Sequence, residues 1–355
     1  MHILHIVGAR PNFMKLAPVW RALKRYSKIQ QTLVHTGQHY DDEMSDVFFQ
    51  QLQIPAADVN LSVGSASHTQ QTAQIMSRLE AVVLQYKPDL VLVYGDVNST
   101  LAAALVCAKL GVRIGHVEAG LRSRDRSMPE EINRIVTDQL SDFLFTPSED
   151  ADQNLENEGI RIEKIHRVGN VMIDSLKQLL PFAKQRDSKK YPSKYVLVTL
   201  HRPSNVDTKK VLESILNSLS EISQTLPVFF PAHPRTQKRI VEFGLNGDHL
   251  RMLPPLPYIE FVALESRATV VITDSGGIQE ETTYLNVPCL TVRENTERPI
   301  TVSMGTNVLV GWEGEKLRRE LSNVLAGKGK KTNVPPLWDG HAGERIAEYL
   351  LKKCK

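Results

Sequence analysis

The chain has 355 residues, of which 41% are hydrophobic and 23% charged, with a formal net charge of +3. That is enough chain for about two domains with buried cores, and the composition excludes a disordered or fibrous protein. The small net charge argues against nucleic acid, no apolar run approaches the roughly 18 residues that would span a bilayer, and partners of either kind are not expected.

The opening MHILHIVGARP lacks a basic leader region, and Arg10 and Pro11 cut its apolar stretch short, so it does not read as a signal peptide. Cys107, Cys289 and Cys354 form no CxxC pair or disulfide framework. A reducing, cytoplasmic setting is expected.

Short apolar runs alternate with helix-period segments, the pattern of an α/β fold with parallel sheets. Strands are expected at His2–Val7, Thr32–Thr36, Leu90–Tyr94, Ile114–Val117 and Phe143–Thr146, with helices such as Thr100–Leu110 and Glu130–Leu140 between them. The run Leu90–Tyr94 is apolar at every position, as a central parallel strand requires. After the polar stretch 181–194 the pattern restarts. Strands are expected at Tyr195–Leu200, Val228–Pro231, Val270–Thr273 and Cys289–Val292, and helices near Val211–Ser220 and Gly277–Leu285. The expected architecture is two Rossmann-like, doubly wound domains, 1–175 and 176–339. A C-terminal helix within 340–355 is expected to return to the first. In such folds ligands sit at the carboxyl ends of strands, here in a cleft between the domains, so the chemistry belongs just after each apolar run.

The turn after the first strand carries Gly8, Arg10 and Lys15 but neither GxGxxG nor GxxxxGK[ST]. Alone, the two cations read as a structural arginine and a solvated lysine. The alternative is an anion site. The third apolar run ends in Gly95-Asp96-Val97-Asn98-Ser99, where Asn98 or Ser99 is expected to cap the following helix, with Asp96 a third capping candidate. The next ends in His116-Val-Glu118-Ala-Gly120, and a carboxylate at the end of a buried strand is costly unless paired or used. Pro129-Glu130-Glu131 opens a helix, where one acid suffices to complement the dipole.

In the second half His201 follows an apolar strand, and His233, in Pro-Ala-His-Pro, is a weaker candidate. The clearest local signal is Thr273-Asp274-Ser275-Gly276-Gly277, a strand end that passes through small residues into a helix and suits a phosphate. Glu281, about one turn on, is placed to accept ribose hydroxyls. Arg298 adds a cation to the same rim. His35 and His39 span a Gly-containing turn and do not read as a metal pair. The inventory describes an acid–base enzyme acting on a nucleotide-diphosphate sugar, without bound NAD, other cofactor or metal.

GARPNFMKLAP, YGD, HVEAGLRS, MPEEINR, TLHR, TDSGGIQEE and TERP occur in this order between positions 8 and 299, followed by WDGHAGERI. The set resembles the non-hydrolysing UDP-N-acetylglucosamine 2-epimerases of bacteria and archaea. The resemblance implies a GT-B-like fold, a small-molecule UDP-sugar as substrate and a homodimer. It implies that Asp96, Glu118 and Glu130 are the catalytic carboxylates and that His201 assists the leaving diphosphate. Arg10, Lys15, Arg134, Ser275, Gly276, Gly277 and Arg298 would bind the substrate, with Glu281 at the ribose and Phe261 near the uracil. Gln38-His39 resembles the motif of relatives with an allosteric substrate site, although Asp41 stands where a further Gln occurs. Leu256 and the run Pro203-Ser204-Asn205 depart from several relatives, which leaves the sugar's substituents open. The implied reaction is C2 epimerisation through loss and return of UDP. Alternatives are an epimerase of a related UDP-2-acetamido sugar and a hydrolysing epimerase that releases ManNAc. A GT-B glycosyltransferase and a UDP-sugar-binding module are more distant ones.

Overall fold

A computed structural model describes residues 1–38, 51–186, 191–247, 249–330 and 332–353. The chain divides into two compact units: unit 1 comprises Met1–Lys177 and Pro336–Lys355, and unit 2 comprises Gln178–Pro335. Among the described residues, no helix is long and apolar enough to cross a membrane.

Unit 1 is built on a parallel sheet of β1 (His2–Val7), β2 (Gln30–His35), β3 (Val59–Asn60), β4 (Leu90–Tyr94), β5 (Arg113–Val117), β6 (Phe143–Thr146) and β7 (Ile165–Arg167). Their order is β3-β2-β1-β4-β5-β6-β7. Side chains alternate across β1. Leu4 and Ile6 enter a core with Ile75, Leu79 and Val82 of α2 (His68–Tyr86) and Ala102, Ala103 and Cys107 of α3 (Asn98–Leu110). His5, on the opposite face, meets Trp20 of α1 (Arg10–Lys24), with ring centroids 5.2 Å apart. Helices α4 (Pro129–Leu140) and α5 (Glu149–Asn157) follow β5 and β6, and α6 (Val171–Lys184) carries the chain across the unit boundary.

Unit 2 repeats the plan with β8 (Val196–Thr199), β9 (Val228–Pro231), β10 (Arg251–Leu253), β11 (Val270–Thr273), β12 (Cys289–Thr291) and β13 (Asn307–Leu309), ordered β10-β9-β8-β11-β12-β13 and parallel throughout. Its helices are α7 (Pro203–Val206), α8 (Lys209–Ser223), α9 (Pro234–Glu242), α10 (Tyr258–Glu265), α11 (Gly276–Leu285), α12 (Pro299–Ser303) and α13 (Gly314–Leu325). Val196, Val198, Val270 and Ile272 pack against Leu212, Ile215 and Leu219 of α8 and Leu317 and Leu321 of α13. Leu197 and Val271 face the other way, toward Leu264 of α10. Each sheet is therefore covered on both faces, which is why its inner strands are predominantly apolar.

The last helix, α14 (Ala342–Lys353), belongs to unit 1. The Asp174 carboxylate accepts the Ala342 and Gly343 N–H groups at 3.2 and 2.8 Å and so caps it. Gly343 lies so close to α1 that a Cβ there would come within 2.6 Å of the Pro18 backbone. In both sheets the strand order reverses once, between β1 and β4 and between β8 and β11. Ligands of doubly wound sheets bind at the carboxyl ends of such strands.

Candidate active site

In unit 1 the turn between β1 and α1 is tied down by Asn12. Its Oδ1 accepts the Gly8 and Ala9 N–H groups at 3.2 and 3.0 Å, and its Nδ2 donates to the Tyr94 carbonyl at 2.7 Å. Arg10 is the first residue of α1. Lys15 lies on the next turn and is 5% exposed, so it is not the solvated lysine of the plainer reading. Its Nζ reaches Glu118 Oε1 at 2.6 Å. The ammonium passes over Gly95, where a Cβ would sit 2.5 Å from Nζ and where φ is +63°. Only glycine satisfies both conditions.

Glu118 itself has φ +75°, a left-handed conformation that non-glycine residues seldom adopt. Its N–H is held by the Phe145 carbonyl at 3.1 Å. Such strain is retained where the surrounding structure over-determines it, and it concentrates at functional sites. The brace beneath it is His116. One ring nitrogen lies 2.6 Å from Asp138 Oδ1 and the other 2.8 Å from the Gly95 carbonyl. Burial works against the Asp138 charge, yet His116 and Arg122 beside it hold its carboxyl below the usual range. Arg122 continues the network through a two-pronged contact with Glu158 at 2.8 and 2.7 Å.

Asp96, directly after Gly95, is gripped by Arg134 Nε and Nη2 at 3.0 and 2.7 Å, and Asn133 donates to its carbonyl at 2.8 Å. The expected cap of α3 is corrected here. Val97 occupies the N-cap position and no side chain caps the helix. Asn98 is instead bound to Gln71, which accepts at 2.8 Å, and Ser99 Oγ donates to Gln38 Oε1 at 2.6 Å. These side chains find partners on neighbouring elements that outcompete the local cap. Gln38 is thereby buried in unit 1. His39, its partner in the motif, lies outside the described residues.

The two acids of α4 separate cleanly. Glu131 accepts the Ser123 and Arg124 N–H groups at 2.9 and 2.8 Å and meets Arg134 at 2.5 Å. Those contacts outweigh burial and hold its carboxyl below the usual range. It is the brace. Glu130, half-buried one residue earlier, has no hydrogen bond or ion pair among the described residues.

In unit 2, His201 follows β8 with a side chain 45% exposed, and its Nδ1 lies 2.9 Å from Asp274 Oδ1. Asp274 is fully buried. It also accepts the backbone N–H groups of His201 and Arg202 and the Asn205 amide, at 3.1, 2.9 and 3.1 Å. Those donors and His201 overcome burial and keep its carboxyl low. An Nδ1–H donated to a carboxylate fixes the tautomer and leaves Nε2 as the working nitrogen. His233 instead caps α9, accepting the Arg235 N–H at 3.2 Å.

Ser275 is the N-cap of α11, and no side chain caps that helix. The first N–H groups of a helix lack intrahelical acceptors and favour an anion. Arg298 lies against them: a Cβ on Gly276 would come within 2.4 Å of its Nη1. Glu280 and Glu297 position Arg298 at 2.7 and 2.6 Å, while Glu297 also meets Arg293 at 2.7 Å and Arg202 at 3.2 Å. Three arginines thus converge on Glu280 and Glu297 beside the helix terminus. Glu281 accepts a hydrogen bond from Tyr258 Oη at 2.6 Å. Phe261, also on α10, packs partly buried beside Leu256 on the core of that face.

In unit 1 the structure pairs Lys15 with Glu118 and Asp96 with Arg134 about the turn at Gly95. In unit 2 His201 is paired with Asp274, and Arg298 lies against Gly276 at the start of the helix whose N-cap is Ser275. Sequence reasoning did not single out Asp138, Glu131 or Asp274 for what they do. Among the described residues no group of three or more His, Cys, Asp or Glu is placed to hold a metal ion.

Residues 21–351 match the family model described as UDP-N-acetylglucosamine 2-epimerase. The chain belongs to this family. A UDP-N-acetylglucosamine 2-epimerase of Methanococcus maripaludis is 43% identical, the match covering 99% of this chain and 98% of the relative. A UDP-2,3-diacetamido-2,3-dideoxy-D-glucuronate 2-epimerase of Pseudomonas aeruginosa is 44% identical, over 99% of this chain and all of the relative. The crystal structure of the Methanocaldococcus jannaschii epimerase in complex with UDP-GlcNAc and UDP superposes with a TM-score of 0.91 at 43% identity, covering 99% of this chain and all of that one. The two α/β units are the Rossmann-like pair of this GT-B-like epimerase fold.

Proposed function

We propose that this protein interconverts UDP-N-acetylglucosamine and UDP-N-acetylmannosamine at C2 without hydrolysing either. The observation that carries the reading is Glu118, strained at φ +75° and set against Lys15 at the end of a buried strand, with Asp96 held by Arg134 beside the same turn. Capping does not require that expense, and backbone strain of this kind is retained mainly at functional sites.

The C2 proton is not next to a carbonyl, so it becomes removable only as the C1–oxygen bond breaks. UDP leaves with that electron pair, a carboxylate takes the proton, and a C1–C2 double bond forms, giving a 2-acetamidoglucal. Return of a proton to the opposite face of C2 and of the phosphate oxygen to C1 gives the epimer. Removal and return from opposite faces need two acid–base groups, and Asp96, Glu118 and Glu130 supply them. The α11 terminus with Ser275, Gly276, Gly277 and Arg298 holds the diphosphate, Arg10 adds charge to it, and His201 assists its departure. Arg134 orients Asp96 and Lys15 orients Glu118. Glu281 receives the ribose and Phe261 lies near the uracil. Retention of UDP until reprotonation is complete keeps water from the glycal.

Incubation with UDP-GlcNAc alone in D₂O, followed by NMR, tests the reading. The expected product is UDP-ManNAc with deuterium at C2. Free ManNAc accumulating with UDP would make the enzyme hydrolysing, and no conversion without an acceptor would favour a transferase or a binding protein. The near-equal identity to the Pseudomonas aeruginosa enzyme supports a second reading, a related UDP-2-acetamido sugar as substrate. Turnover of UDP-2,3-diacetamido-2,3-dideoxy-D-glucuronate at a higher kcat/KM than UDP-GlcNAc would select it.

A further inference from the structure

A second carboxyl stands behind Glu281. Glu265, the last residue of α10, is 0% exposed, and among the described residues no N–H or O–H donor reaches either of its oxygens. The polar group it faces is another acid, Glu281, which is itself 3% exposed. The thiol of Cys289, on β12, is nearby; burial pushes it up to about 12, so it brings no charge of its own.

An ionised carboxylate cannot be kept in such a place without a cation or a set of donors. Two acceptor-only groups also have no reason to face each other. The contact makes sense once one proton lies between them, because a protonated carboxyl has an O–H to give. Burial, reinforced by the charge of Glu281, pushes the Glu265 carboxyl well above the usual carboxylate range. Glu281 is the member that Tyr258 already addresses with an O–H donor at 2.6 Å, so the negative charge belongs there.

We propose that Glu265 remains a neutral carboxylic acid whose O–H donates a hydrogen bond to Glu281, and that this donor and Tyr258 together orient the Glu281 carboxylate toward both hydroxyls of a ribose. The inference rests on the UDP-sugar reading above and extends it to Glu265 as a positioning residue and to a preference for ribo- over 2′-deoxyribonucleotides. A carboxylate has about four acceptor positions, enough for two protein donors and the two hydroxyls of a diol. Without the Glu265 donor, Tyr258 alone holds the carboxylate at one oxygen and the diol loses its fixed partner.

Calorimetric titration of the full chain with UDP and with 2′-deoxy-UDP tests this, using wild type, Glu265→Gln and Glu265→Met. Wild type is expected to prefer UDP by about tenfold or more, the worth of a hydrogen bond to a charged group. Glu265→Gln keeps an N–H donor of the same shape and should keep the preference. Glu265→Met should bring the two affinities close together. The infrared carbonyl band of a protonated carboxylic acid should be present in wild type at neutral pH and missing from Glu265→Gln. Full discrimination by a folded Glu265→Met, loss of discrimination in Glu265→Gln, or absence of the band would each overturn the proposal. If Glu265→Met does not fold, Glu265→Gln and the band decide. Wild type that binds neither nucleotide would instead sink the UDP-sugar reading, while the band still reports the state of Glu265.

Discussion

Lys15 Nζ and Glu118 Oε1 are 2.6 Å apart with both side chains buried, so each charge depends on the other for its place inside unit 1. Removing one member of such a pair leaves an uncompensated buried charge, at a cost of about 3–5 kcal/mol. Lys15→Met is therefore expected to lower the denaturant midpoint strongly, and Lys15→Met with Glu118→Gln to recover part of the loss. Glu118→Gln alone should reduce kcat by about a hundredfold or more, as lost acid–base groups do. A double variant whose stability is the sum of the single losses would show that the pair is not coupled.

His201 and Asp274 form the corresponding couple of unit 2. If Asp274 acts by holding the His201 ring, Asp274→Asn should reduce kcat about tenfold or more. Adding it to His201→Ala should cost little further kcat, because the two residues act as one unit. Steady-state kinetics on the three variants checks this. Independent, multiplying effects would separate the two residues.

Asn12 both accepts two N–H groups and donates to the Tyr94 carbonyl. Asn12→Asp preserves the acceptor and loses the donor, setting a buried carboxylate against a carbonyl oxygen. The expected cost is about 1–3 kcal/mol, read from urea unfolding. Unchanged stability would mean that the Tyr94 contact contributes nothing.

Burial raises the carboxyl of Asp174 from 3.8 to about 6, against the pull of the Gly343 and Ala342 N–H groups it caps. The folded protein thus holds this proton more tightly than the unfolded chain. This group's contribution to stability falls as pH rises from about 4 to about 6 and is level above that. The stability of wild type relative to Asp174→Asn should decline across this window by something on the order of 3 kcal/mol. Paired urea titrations at several pH values measure it, and a difference that is flat or rises with pH would contradict the assignment.

The inner strands were legible because burial on both faces writes a predominantly apolar run. His2–Val7, Leu90–Tyr94, Phe143–Thr146, Val228–Pro231 and Val270–Thr273 appear with the bounds expected from sequence. Four strands were not anticipated: β3, β7, β10 and β13. All four are outermost in their sheets and two or three residues long. Half-exposed and short, they carry no periodicity to detect. The site divides in the same way. Polar residues at strand ends announce themselves locally, whereas Asp274 meets the His201 backbone across 73 positions and His116 meets Asp138 across 22. A histidine inside the strand Arg113–Val117 was the available sign that a buried partner had to exist. Glu265 left no such sign, since an acid at the end of a helix looks like surface until its neighbours are known.

Unit 1 is assembled from two stretches of chain, with all of unit 2 inserted between them. The contact between Arg25, the C-cap of α1, and Glu344 on α14 spans 319 positions. Unit 2 is contiguous and does not draw on Pro336–Lys355, whereas α1 waits until the end of the chain for the helix that covers it. Unit 1 therefore closes last, and its α1 face stays open to solvent and to chaperones for the time needed to translate unit 2. Released chains ending at Pro335 should show a protease-resistant unit 2 and a cleavable N-terminal stretch, with protection of that stretch appearing only once α14 is present. Resistance of the N-terminal stretch in the shorter chains would reverse this order.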